Sequence, residues 1–330
     1  MKAVISDQAG CPDTLRYGDM PEPVAGPGEV RIAMKAAGLN FPDLLTIADK
    51  YQVRAPRPFA PGFEGAGVVD QVGAGVTRFK VGDRVLTHGY WGTLAQKHVA
   101  VEGDVVAIPD FLPFEDAAAL PLTYFTAHYA LTRRGELQPG ETLLVLGAAG
   151  GVGLASVQIG KALGARVIAA VSSEEKAARA LDNGADATLI YPTGEAVDAR
   201  ALAADFKAAV GDKGADVILD VLGGGYSEPA LRSIAWYGRH LIVGFAGGLT
   251  SMPLNLVLLK SCQVVGVIWG AWARRFTDES YPDKQAVFDL YDKGHIRPDI
   301  TERYTLSDGA AAVARLTDRT MAGKIVVLID

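Results

Sequence analysis

Cysteine is scarce: Cys11 and Cys262 are the only two in 330 residues, and they lie far apart in sequence. That leaves no disulfide framework and no cysteine pair at metal-ligand spacing, so a reducing, cytoplasmic setting is expected, with each thiol buried or inert. Basic runs are missing and the formal net charge is −6, which argues against nucleic acid or an anionic membrane surface as partner. No stretch of about 18 apolar residues is available for a membrane helix. The apolar residues 3–5 stop at Ser6 and Asp7, so no charged-then-apolar leader starts at Met1. The five histidines (His88, His98, His128, His240, His295) form no i, i+4 pair and have no cysteine nearby. Zinc needs three or four N, S or O ligands in a tight shell, so no metal is expected. Internal repeats and low-complexity linkers are also absent. With 49% hydrophobic and 21% charged residues, the chain reads as an ordinary globular protein long enough for two domains.

What is present centres on residues 147–153, GAAGGVG. The apolar run Thr142–Leu146 precedes it. Apolar residues at helical spacing (Val152, Ala155, Ile159, Leu163) follow it, Gly164 ends that run, and a second β-like run covers 165–171. Strand, glycine turn, helix and strand in about 30 residues make one βαβ unit. Ala148, Gly150 and Gly153 occupy the three fingerprint positions of a dinucleotide fold. A bare Gly150 lets backbone approach a pyrophosphate, and Gly153 lets helix and strand pack closely. The free N–H groups over Ala149, Gly150, Gly151, Val152 and Gly153 then face the phosphates, assisted by the helix dipole.

Residues up to about Pro109 read as short strands (3–5, 29–37, 67–72, 84–87, 94–101, 105–108) separated by Gly/Pro turns, which suggests a barrel-like or sandwich domain. Residues 114–133 turn helical and form a candidate hinge. From 142 to 268 strands and helices alternate, with strands expected at Thr142–Leu146, Arg166–Val171, Ala187–Ile190, 216–221, 240–245 and 263–268. Six such strands match a doubly wound parallel sheet. A helix at 284–293, strands at Ile300–Thr305 and 324–329, and a helix at 309–316 are expected to rejoin the first domain.

The residue after the second sheet strand reads the adenosine ribose. Here that tip is Ser172, followed by Ser173, Glu174, Glu175 and Lys176. Two hydroxyls and an ammonium can hold a 2′-phosphate, so NADPH is favoured over NADH. The glutamates otherwise suit the first turn of a helix, and Lys176 otherwise a solvated surface. Tyr191, past the third strand, is placed to pack on the adenosine or to serve as a half-buried strand-end aromatic. Residues 220–225 (DVLGGG, with Leu222) and 244–248 (GFAGG, with Gly244 and Phe245) lie on the crevice side, where glycines allow close cofactor approach or simply make turns.

Taken in order, residues 37–43 (AGLNFPD), 61–67 (PGFEGAG), 81–85 (VGDRV) and GAAGGVG resemble the medium-chain dehydrogenase/reductase superfamily, and within it the zinc-free quinone oxidoreductase (zeta-crystallin-like) branch. The resemblance implies an α/β chain with a GroES-like β-rich catalytic domain (1–120 and 269–330) and an inserted Rossmann domain (121–268), usually in a homodimer. Zinc relatives bring a Cys and a His to the metal where this chain has Asn40 and Phe63. The four-cysteine lobe is missing too. By the same resemblance, Asn40 supplies an amide donor and Tyr51 a phenol donor in the active site. Leu45 stands where the branch often has a second tyrosine. A phenol with a pKa of about 10 suits donation, not abstraction. Thr123 and Thr126 are expected at the nicotinamide end, bordered by Phe245, Val267, Ile268 and Trp269, and Lys324 is expected among the cofactor contacts. Glu64 is expected to pair with an arginine. Arg274 and Arg275 form either a solvated basic corner or an attractant for an anionic substrate. The function implied is metal-free, NADPH-dependent reduction of a small electron-poor electrophile, a quinone or another α,β-unsaturated carbonyl. An enoyl-thioester or acrylate-type reductase is the rival enzyme, and a non-catalytic, crystallin-like NADPH-binding protein the rival of another class.

Overall fold

Residues 29–38, EVRIAMKAAG, place every second side chain inside, the alternation of a half-buried strand. In the computed structural model, which describes residues 1–194, 198–318 and 320–330, they form one of fifteen strands among the described residues. These are β1 (Lys2–Ser6), β2 (Leu15–Asp19), β3 (Glu29–Gly38), β4 (Glu64–Val72), β5 (Arg84–His88), β6 (Lys97–Val101), β7 (Val105–Ala107), β8 (Thr142–Leu146), β9 (Arg166–Val171), β10 (Ala187–Ile190), β11 (Ala215–Asp220), β12 (Ile234–Ile242), β13 (Gln263–Gly266), β14 (Ile300–Thr305) and β15 (Lys324–Leu328). The helices are α1 (Phe41–Ile47), α2 (Phe114–Ala118), α3 (Thr126–His128), α4 (Gly151–Ala162), α5 (Glu174–Asp182), α6 (Ala199–Val210), α7 (Ser227–Leu231), α8 (Leu254–Lys260), α9 (Trp269–Arg275), α10 (Thr277–Asp292) and α11 (Gly309–Arg315). Among the described residues no helix is long and apolar enough to cross a membrane.

The chain divides into two units, Met1–Leu122 with Arg297–Asp330, and Thr123–Ile296. In the first, one sheet runs β14-β15-β3-β4-β5-β7, with β6 also paired to β3. Its pairings are antiparallel except β14 with β15. Ile32, Met34, Val85, Leu94, Ile325 and Val327 are core residues. The C-terminal strand thus lies beside β3, as expected of a tail that rejoins the first domain. β2 and α1 were not anticipated: β2 pairs only with β1 and shows little alternation, and α1 is a short helix opened by a proline.

In the second unit six parallel strands run β10-β9-β8-β11-β12-β13. The order reverses between β8 and β11, where a doubly wound sheet opens its ligand crevice. β8 and β9 are buried almost throughout, as expected when helices cover both faces.

The domain boundaries differ from the expected 120/121 and 268/269. Residues 269–296 belong to the second unit. Aromatic packing accounts for this: Trp269 lies 5.4 Å from Phe125 and Trp272 stacks at 4.5 Å on Tyr129. The Arg133 guanidinium also donates to Asp283 at 2.7 Å. α10 is correspondingly longer than the expected 284–293 and accommodates Pro282 within it. β12 begins earlier and ends earlier than expected, which leaves Phe245 beyond the strand.

Gly153 is where α4 meets the turn that feeds it. A Cβ there would come 2.2 Å from the Gly147 carbonyl oxygen and 2.8 Å from Ala148 Cα, both backbone. Gly153→Ala should therefore destabilise the second unit by about 1–3 kcal/mol, the usual cost of overpacking. Denaturant unfolding followed by circular dichroism measures this, and an unchanged midpoint would show that the turn relaxes freely.

Candidate active site

The first unit buries a polar cluster at the junction of β3, α1, β4 and β15. Glu64, Asp43 and Lys324 are buried, and Asn40 is nearly so. Asn40 precedes α1 in extended conformation, the position where an asparagine side chain usually caps the helix. Its amide also reaches beyond the helix. Nδ2 donates to Glu64 Oε1 at 2.7 Å, and Oδ1 accepts from Lys324 Nζ at 2.6 Å. Lys324 also donates to Glu64 Oε1. The other carboxylate oxygen, Oε2, accepts the Leu122 N–H at 2.6 Å. Glu64 is therefore a structural carboxylate, as expected, but its partner is a lysine rather than an arginine. Gly38 makes room for it, since a Cβ there would meet the Ala118 carbonyl at 2.4 Å and Glu64 Oε1 at 2.6 Å.

Asp43, three residues on, supplies the reciprocal bond of a capping box. Its carboxylate accepts from the Asn40 backbone N–H at 2.8 Å and from the Gly62 N–H at 3.1 Å. Asn-x-x-Asp is a variant of the capping-box spacing, so this residue was legible in the sequence. Beside the cluster, the Tyr51 ring meets Phe63 edge-on at 5.1 Å and tilts towards Tyr90 at 6.2 Å. Phe63 is buried and also meets Tyr90 edge-on at 6.2 Å.

The second unit carries the nucleotide-type features. Gly150 precedes α4, whose first N–H groups lack intrahelical acceptors. A Cβ at Gly150 would meet nothing nearer than 3.5 Å, and no left-handed φ requires glycine there. Packing inside the chain thus accounts for glycine at 153 but not at 150. Thr123 lies next to this loop, its Cγ2 2.8 Å from where a Gly151 Cβ would be. At the tip of β9, Lys176 Nζ donates to Ser172 Oγ at 3.2 Å, and Ser173 Oγ caps α5 by accepting the Lys176 N–H at 3.3 Å. Tyr191 shares a hydrogen bond with Ser172, and burial pushes its phenol up to about 12. The structure thus brings Ser172, Ser173, Lys176 and Tyr191 together.

Leu222 and Gly244 are held by Asp220, whose role was not legible in the sequence and whose backbone carbonyl accepts the Gly244 N–H at 3.3 Å. Asp220 Oδ1 accepts the N–H groups of Leu222 and Gly223, each at 2.9 Å. Oδ2 accepts from Ser227 Oγ at 2.5 Å and lies 3.2 Å from His240 Nε2. Burial pushes this carboxyl upward, but His240, the Gly223 N–H and Ser227 together hold it below the usual range. Backbone bonds Gly224 N to Gly248 O and Gly247 N to Leu222 O join the two glycine loops. Val267 is buried, Ile268 is exposed and Trp269 is packed inside. Thr126 is half-buried in α3. Cys11, expected to be buried or inert, is exposed, and Cys262 is buried.

The model of the alcohol dehydrogenase GroES-like domain matches residues 26–110, and that of the zinc-binding dehydrogenase matches residues 151–282. A quinone oxidoreductase of Pseudomonas aeruginosa is 38% identical over 332 residues, covering 97% of each chain. Escherichia coli quinone oxidoreductase, solved in complex with NADPH, superposes with a TM-score of 0.89 at 28% identity, covering 99% of this chain and 100% of that one. A 2-haloacrylate reductase superposes with a TM-score of 0.87 at 29% identity, covering 99% of each. A GroES-like unit joined to a Rossmann sheet defines the medium-chain dehydrogenase/reductase architecture, and the chain belongs to the quinone oxidoreductase branch of that superfamily.

A zinc ion does not fit the site residues described here. Asn40 and Phe63 offer an amide and an aromatic ring, and the Glu64 carboxylate is already matched by the Lys324 ammonium. Among the described residues no three of His, Cys, Asp and Glu gather as a metal site.

Burial pushes Asp43 up to about 7. Its N–H donors and the Lys324 charge oppose that shift, and the Glu64 charge adds to it. The folded chain therefore binds more protons than the unfolded one between pH about 4 and 7, and the contribution of this group to stability falls as pH rises through that window. Relative to Asp43→Asn, wild-type Tm should decline from pH 4 to 7 and then level off. Thermal melts across that range decide it, and a pH-independent difference would show that Asp43 is ionised throughout.

Proposed function

We propose that the protein is a metal-free, NADPH-dependent reductase of quinones or related α,β-unsaturated carbonyls. The observation that carries the cofactor reading is the Ser172–Lys176–Tyr191 cluster at the tip of β9. An acid there would accept ribose hydroxyls and repel a 2′-phosphate. Hydroxyl and ammonium groups do the opposite. Gly150, Gly151, Val152 and the adjoining N–H groups would hold the pyrophosphate, with Thr123, Thr126, Leu222, Gly244, Phe245, Val267, Ile268 and Trp269 as further cofactor contacts. NADPH supplies the hydride when bound.

The rest is the work of this chain. Asn40 donates through its second Nδ2 hydrogen to the acceptor's carbonyl oxygen, where negative charge develops on reduction. Tyr51 provides a phenolic donor backed by Phe63 and Tyr90. An electron-poor acceptor needs no Lewis acid, which agrees with the absence of ligand chemistry at positions 40 and 63. The likeness to a 2-haloacrylate reductase supports a second reading, reduction of an activated C=C bond in an acrylate-type or enoyl-thioester substrate.

We also infer a homodimer in a reducing cytoplasm. β13 is the edge of its sheet and exposes Val264, and α8 exposes Leu254, Leu258 and Leu259. An apolar sheet edge needs pairing or cover. The free thiol of Cys11 is exposed, which suits a reducing compartment.

NADPH should change tryptophan fluorescence at lower concentration than NADH, and Lys176→Ala should narrow that gap. Equal affinities in the parent chain would refute the Ser172/Lys176 assignment. Loss of NADPH absorbance on addition of a quinone supports the first reading, and loss only with an enoyl-CoA or acrylate supports the second. Tight NADPH binding without turnover across a broad acceptor panel would leave a crystallin-like binding protein instead. Light scattering should give twice the chain mass, and a monomer would rule out the dimer.

A further inference from the structure

We propose that Glu64 and Lys324 are positioning residues that set the orientation of the Asn40 amide, so that one particular N–H is presented to substrate. The inference rests on the reading of Asn40 as the donor to the acceptor carbonyl.

A carboxamide can be turned over at little steric cost, because its oxygen and nitrogen are nearly the same size. Chemistry decides which way it faces. At Asn40 the choice is forced. A carboxylate only accepts and an ammonium only donates, so Nδ2 must lie at Glu64 and Oδ1 at Lys324, as found at 2.7 and 2.6 Å. The reversed amide would set its N–H groups against the ammonium and its oxygen against the carboxylate, both in a buried, low-dielectric place. The carboxylate cannot turn to suit it, because Oε2 is held by the Leu122 N–H at 2.6 Å and backbone crowds Gly38 behind it. The Asn40 backbone is held as well, since its N–H donates to the Asp43 carboxylate at 2.8 Å. Glu64 consumes one of the two Nδ2 hydrogens. The other is the only donor Asn40 has left, and its direction follows from the fixed plane of the amide. On this view Lys324, expected among the cofactor contacts, acts through Asn40.

Removing only one charge would strand the other in the interior and risk unfolding. The informative variant is therefore Glu64→Gln/Lys324→Met, which removes both charges while preserving bulk. With its single oxygen kept on the Leu122 N–H, the introduced glutamine turns its NH2 towards Asn40, so the imposed direction is lost and the reversed amide is favoured. Three results are expected. First, kcat with the working acceptor falls about 100-fold, the scale of a misplaced catalytic group, while the NADPH dissociation constant read by tryptophan fluorescence stays unchanged. Second, the same pair of substitutions adds no further loss to Asn40→Ala, because both act through one amide. Third, in 15N-asparagine-labelled protein one Asn40 side-chain proton, assigned by its disappearance in Asn40→Ala, is protected from exchange and loses that protection in the double variant. Lys324→Arg, which keeps a charged donor, should recover part of the activity lost on Lys324→Met. Weakened NADPH binding in the double variant, or a loss that adds fully to that of Asn40→Ala, would overturn the proposal. An unprotected Asn40 amide in the wild-type chain would also overturn it, whichever acceptor the enzyme uses. Wild-type protein that reduces no acceptor while keeping the protected amide would instead sink the reductase reading and leave the geometric claim standing.

Discussion

A buried ammonium is tolerated only where a carboxylate meets it and every remaining lone pair finds a donor. Lys324 and Glu64 satisfy that condition, and much of the first unit is arranged around them. β15 brings the lysine beside β3, β4 brings the glutamate, α1 begins at the asparagine between them, and Leu122 closes the second carboxylate oxygen. The glycine at position 38 and the acid at position 43 follow from the same constraint. One leaves room for the pair, and the other holds the backbone N–H of the asparagine between them.

The second unit solves a different problem. Its loops must approach a ligand closely and still hold their shape. Gly150 is bare toward the outside and Gly153 toward the inside, although both belong to one short motif. Behind the loops at 222–223 and 244–248, Asp220 gathers two backbone N–H groups, a serine and a histidine at one buried carboxylate. Cross-loop backbone bonds then make the two loops a single piece. A carboxylate with that many donors contributes rigidity to a crevice otherwise made of glycine.

Much of this was legible beforehand for physical reasons. The parallel sheet shows itself because its strands are buried on both faces and its helices are periodic. The glycine motif shows itself because strand, turn and helix must follow in order. Ser172, Lys176 and Tyr191 could be singled out together because they follow the ends of two neighbouring strands of one parallel sheet. Long-range pairing was what the sequence could not show. Nothing local at Glu64 says that its partner is residue 324 rather than an arginine, and nothing at His240 points to Asp220. The affiliation of residues 269–296 was hidden for a related reason. Their aromatics could equally have lined a pocket, and only packing against Phe125 and Tyr129 assigns them to the second unit. β2 and α1 were missed because one hardly alternates and the other is barely two turns long.

The separation of Glu64 from Lys324 also bears on how the chain is made. The whole second unit, residues 123–296, lies between them in sequence. During synthesis the Rossmann sheet has all six of its strands before the ammonium that neutralises Glu64 exists. Until then the N-terminal strands carry a carboxylate that cannot be buried without its partner, and β3 lacks the neighbour that β15 will become. The order of events on the ribosome is therefore reversed relative to the order of the chain. The inserted unit can finish first, and the unit that was begun earliest waits, open at one edge, for residues encoded more than 250 positions later.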